Sequence, residues 1–194
     1  MDGSLIDSDA LHLQAFNVML AEDGRSISHE TFMAKIQGQP NETIMAMLYP
    51  EREPEWDALA DRKEAMFRDL LDARGEPVAG ITDVLDWAED NCVGTCVVTN
   101  APRANAAAML KASGLDQRLT RIVVGPETGR PKPDPHPYQV AMGALGARPS
   151  RSIAFEDSAA GMRSASRSGA FSIGLMTGQT EQTLTQAGAK LCIA

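Results

Sequence analysis

The chain has 194 residues, 43% hydrophobic and 23% charged, enough for one soluble domain or a domain carrying an inserted cap. A formal charge of −8 and a pI near 4.9 argue against nucleic-acid partners, which need clustered Lys and Arg, and favour small substrates. No apolar run reaches the roughly 20 residues that span a bilayer, and the start is acidic rather than basic then apolar, so neither a membrane partner nor a signal peptide is expected.

Between residues 11 and 75 the signals are helical. Leu11, Phe16, Met19 and Leu20 form an amphipathic stripe that Gly24 ends, and Ser28 suits the N-cap of a second helix carrying Phe32 and Ile36 up to Gly38. Asn41 can cap a third helix with Ile44, Met47 and Leu48, stopped by Pro50. A fourth runs from about Glu55 through Trp56, Leu59, Met66, Phe67, Leu70 and Leu71 to Gly75.

After Pro77 short β-branched runs alternate with helices, the pattern of a doubly wound parallel sheet. Thr82 caps a helix through Leu85 and Trp87. The expected strands are 93–98, 122–124, 152–155, 171–175 and an edge strand 191–193, with helices over 103–113, 135–145, 159–168 and 181–187 between them. Cys92, Cys96 and Cys192 make no even disulfide set and have no zinc-site spacing, so they read as packing residues in a reducing cytoplasm.

Ligands in such sheets sit beyond the carboxyl ends of the strands, and the polar residues stand there. Thr99 and Asn100 follow an apolar run and open a helix, where a hydroxyl and free amides can cradle phosphate. Lys132 lies between Pro131 and Pro133, which restrict its backbone and fix where its ammonium is presented. Glu156 and Asp157 end a strand as adjacent carboxylates, whose repulsion a hard divalent cation offsets. Each has a plainer alternative: helix capping for Thr99, Asn100 and Asp157, a surface lysine for Lys132, and a simple turn for Asp2-Gly3.

Met-Asp-Gly-Ser-Leu-Ile-Asp-Ser at residues 1–8, then Thr99-Asn100, Lys132-Pro133-Asp134-Pro135 and Glu156-Asp157-Ser158 with Gly161, occur in the order of the four haloacid dehalogenase motifs. The chain resembles that superfamily over essentially its whole length, nearest the phosphoglycolate phosphatase and β-phosphoglucomutase-like subgroup. The resemblance implies an α/β Rossmann-like core, residues 1–10 and 76–194, with a helical cap inserted at 11–75. It also implies a cytoplasmic, Mg²⁺-dependent phosphomonoesterase acting on a small phosphorylated metabolite such as a sugar phosphate, as a monomer or weak homodimer.

By the same resemblance, Asp2 is the general acid and base, and Gly3, Thr99, Asn100 and Lys132 bind the phosphoryl group. Asp157 binds the metal directly, with Glu156 beside it and the backbone carbonyl of Asp2 as a further ligand. The nucleophilic Asp and the first core strand fall ahead of Met1, so a short N-terminal extension is expected. His12 matches a position near the cap hinge. Asn41 stands where mutases of the subgroup carry an Arg for the second phosphate, and a neutral amide cannot replace a bidentate cation. That favours a phosphatase over a phosphomutase; a phosphate-binding protein without catalysis is the remaining alternative.

Overall fold

The computed structural model describes residues 1–37, 39–71 and 77–194, arranged in two compact units: Met1–Asp7 with Arg74–Ala194, and Ser8–Ala73. The expected helix ends at Gly38 and Gly75 lie outside the described residues. Among the described residues, no helix is long and apolar enough to cross a membrane.

The second unit is helical. It contains α1 (Asp9–Ala21), α2 (His29–Lys35), α3 (Asn41–Leu48) and α4 (Trp56–Leu70), with a 3₁₀ segment over Pro50–Glu55. Ser28 caps α2 as its sequence suggests, accepting a hydrogen bond from the Thr31 amide. Asn41 does not cap α3: Pro40 holds that position, and the Asn41 amide donates to Glu64 Oε1 at 3.0 Å. Phe16, Met19, Leu20, Phe32, Ile36, Ile44, Met45, Leu48, Tyr49 and Leu59 form one core. On α3 the inward stripe is Ile44, Met45 and Leu48, which turns Met47 outward to 40% exposure.

The first unit is an α/β fold whose named strands pair in parallel. Its elements are α5 (Ile81–Asp90), β1 (Val97–Thr99), α6 (Arg103–Ala112), β2 (Ile122–Val124), α7 (His136–Leu145), β3 (Ile153–Glu156), α8 (Ala159–Arg167), β4 (Phe171–Leu175), α9 (Glu181–Gln186) and β5 (Leu191–Ile193). β1 pairs with β2, and β3, β4 and β5 form a second ladder in that order. Thr99 lies opposite Val124, and Glu156 opposite Gly174.

Two boundaries differ from the sequence pattern. Gly80, at φ 81°, caps α5, which leaves Thr82 inside the helix. Residue 92 ends the same helix in a left-handed turn, Cys92 having φ 54°, while the Val93 amide reaches back to the Ala88 carbonyl. The run from Val93 is therefore a connector, and β1 starts only at Val97.

Candidate active site

Residues 1–6 form a tight loop in which the amide of Gly3 donates to the Ile6 carbonyl and that of Leu5 to the Met1 carbonyl. Asp2, half-buried, bridges to Ile6 within it. Gly3 has φ 65°, and a Cβ there would overlap Asp157 Oδ2, so the Asp2–Gly3 backbone lies directly against the Asp157 carboxylate. Two hydroxyls fix this approach. Ser4 Oγ donates to Asp157 Oδ1 at 2.6 Å, and Thr177 Oγ1, from the loop after β4, donates to the Gly3 carbonyl at 2.7 Å.

Asp157 is 9% exposed. Burial pushes its carboxyl up to about 6; the Ser4 hydrogen bond and Lys132 oppose that rise, and the Glu156 charge adds to it. A buried carboxyl held that high regains its charge when a hard cation sits beside it, and its neighbours are oxygen donors, so the chemistry suits Mg²⁺.

Lys132 joins the ends of two strands. Its ammonium donates to the Val98 carbonyl of β1 at 3.2 Å and to Glu156 Oε1, at the end of β3, at 2.7 Å. Its side chain is 8% exposed, and the third N–H is not engaged among the described residues. Asn100 holds the lysine backbone at two points: Nδ2 donates to the Lys132 carbonyl at 2.9 Å, and Oδ1 accepts from the Lys132 amide at 3.0 Å. Asn100, expected to bind phosphate, thus has its side chain committed to orienting Lys132. Thr99 is buried and its Oγ1 accepts from the Ala101 amide at 3.0 Å, which leaves its hydroxyl proton to donate.

Glu156, expected beside the metal, accepts at Oε1 from both Lys132 and the Tyr138 hydroxyl, the latter at 2.5 Å. Its other oxygen lies where a Cβ on Gly161 would fall. Successive residues at a strand end point to opposite sides, so Glu156 turns to the lysine while Asp157 turns to the Gly3 loop. Among the described residues, no three His, Cys, Asp or Glu side chains converge to hold a metal.

His12 and Asn41 belong to the helical unit, where both meet a buried ion pair. Lys63 Nζ lies 3.1 Å from Glu64 Oε1 and 3.0 Å from His12 Nδ1, and the His12 ring stacks on Phe67 at 3.9 Å between centroids. Burial alone would raise the Glu64 carboxyl, yet Lys63, Asn41 and His12 hold it below its ordinary value. Sequence reasoning missed Tyr138, Thr177, Lys63 and Glu64. The sequence carried one signal for the last two: charged residues within the apolar spacing of α4.

Over 110 residues the chain is 36% identical to the validoxylamine A 7'-phosphate phosphatase of Streptomyces hygroscopicus subsp. limoneus, a match spanning 57% of this chain and only 52% of that protein. It is 25% identical over 176 residues to the phosphorylated carbohydrates phosphatase of Thermotoga maritima, covering 87% of this chain and 79% of the relative. CbbY from Rhodobacter sphaeroides, crystallised with phosphate, superposes with a TM-score of 0.85 at 25% identity over 100% of this chain and 90% of its own. Residues 1–175 match the sequence profile described as haloacid dehalogenase-like hydrolase, and the chain belongs to that family.

Proposed function

We propose that the protein is a Mg²⁺-dependent phosphatase that hydrolyses the phosphomonoester of a small, carbohydrate-like metabolite. The observation that carries this reading is the Lys132 ammonium, anchored on Val98 and Glu156 with one N–H to give. A lone cation so held suits a phosphoryl oxygen, and phosphoryl transfer depends mainly on positioning and charge stabilisation. The names of the Streptomyces and Thermotoga relatives point to the same substrate class.

In this reading the Thr99 hydroxyl, the amides opening α6 and Lys132 grip the phosphoryl oxygens. Asp157 and the backbone carbonyl of Asp2 would hold Mg²⁺, which when bound supplies positive charge to those oxygens. Asp2 carries the proton, giving it to the departing oxygen and later taking one from the water that frees phosphate. In the family motif the attacking carboxylate, which would form an aspartyl-phosphate, stands two positions ahead of the Asp that carries the proton. Asn41 favours hydrolysis over mutase chemistry, because its neutral amide is directed to Glu64 and offers no cation for a second phosphate.

Turnover of p-nitrophenyl phosphate by the full protein tests this directly. Activity that requires Mg²⁺ and disappears in Asp2→Asn supports the proposal. Turnover indifferent to EDTA and to Asp2→Asn overturns it.

A further inference from the structure

We propose that Tyr138 is a positioning residue for phosphate binding, acting through Glu156 on Lys132; the inference rests on the phosphatase reading. Tyr138 lies on α7, and its ring packs against Ala154, Ala165 and Ala170, so the hydroxyl is delivered from a fixed apolar platform. That hydroxyl and the Lys132 ammonium share one acceptor, Glu156 Oε1, at 2.5 and 2.7 Å. The opposite carboxylate oxygen is confined by the start of α8 at Gly161.

Two consequences follow from this sharing. The carboxylate is hydrogen-bonded twice at Oε1 and packs against Gly161, so Lys132 meets a stationary partner and its remaining N–H keeps one direction. The phenol also draws charge from Oε1, which weakens the local cancellation of the ammonium and leaves it a better attractor for an anion. Burial and the Glu156 charge keep the phenol well above its ordinary pKa, so it remains a donor throughout the working range. Neither role needs the hydroxyl to touch substrate.

The test is a double-mutant cycle on the full chain, with inorganic phosphate as the calorimetric probe in the presence of Mg²⁺. Tyr138→Phe keeps the ring and is expected to weaken phosphate binding about 3- to 10-fold, the scale of an ordinary net hydrogen bond, because the effect reaches phosphate only through the lysine. In the Lys132→Ala background, the same change is expected to have no further effect, because the path through the lysine is already cut. Equal phosphate affinity for wild type and Tyr138→Phe, or the same loss in both backgrounds, overturns the inference. Failure of the wild type to bind phosphate at all overturns the phosphatase reading and the inference with it.

A second measurement needs no variant. The Tyr138 hydroxyl proton, in a short hydrogen bond to a carboxylate, is expected to give a downfield, slowly exchanging NMR resonance that moves as phosphate is added. A resonance unmoved by saturating phosphate contradicts the coupling.

Discussion

Asp157 is where burial and function meet most sharply. Its folded carboxyl stands at about 6 against an ordinary 3.8, so in the metal-free protein the proton favours the fold. The contribution is fully present below the unfolded value and is lost as pH rises through about 6; a two-unit shift corresponds to about 3 kcal/mol. In EDTA, Asp157→Asn is expected to be more stable than wild type near neutral pH, by a margin that closes towards roughly pH 4. Urea unfolding at both pH values checks this, and a margin independent of pH contradicts it. Lys132 behaves differently, because removing it leaves Glu156 buried beside a phenol alone. Lys132→Met is expected to cost about 3 kcal/mol of stability, and adding Glu156→Gln to restore much of that but no phosphate binding. Such residue-scale facts were only half legible in the sequence. Polar residues after apolar runs drew attention to Thr99 and Asp157, and flanking prolines to Lys132, but nothing local tells which neighbour a strand-end Glu will face.

At the scale of elements, close approach of backbone to carboxylate decides what each glycine tolerates. Gly161 opens α8 against Glu156, and a methyl group there must displace either the helix or the carboxylate. Gly161→Ala is expected to lose about 1–3 kcal/mol and to weaken phosphate binding, whereas Gly143→Ala, in α7 with open space around it, gains about 0.5–1 kcal/mol. Melting curves of the two variants provide the comparison, and equal effects would contradict the packing argument. The alternation of helices and parallel strands was readable because each strand is a continuous apolar run. Boundaries were less so: the turn at Cys92 shortened β1, and a side-chain bond to Glu64 drew Asn41 away from the helix cap the pattern suggested.

Across the whole molecule, the α/β unit gathers Gly3, Ser4, Val98, Lys132, Glu156, Asp157 and Thr177 from positions spread over its length. Their order was visible in the sequence because strand ends in a parallel sheet face one way; the hydroxyls of Tyr138 and Thr177 were not, since they matter only through partners far along the chain. The helical unit carries its own buried Lys63–Glu64 pair, with His12 and Asn41 attached. Lys63→Met is expected to strip Glu64 of its countercharge and destabilise that unit by about 3 kcal/mol, read by hydrogen exchange across α1 and α4. Unchanged protection there would contradict a structural role for the pair. The most direct test of the central claim is phosphorus NMR of the protein incubated with a hexose monophosphate and Mg²⁺. The expected result is a growing inorganic phosphate signal that EDTA abolishes and that Lys132→Met lacks; an isomerised sugar phosphate, or no free phosphate from any phosphorylated carbohydrate, would contradict it.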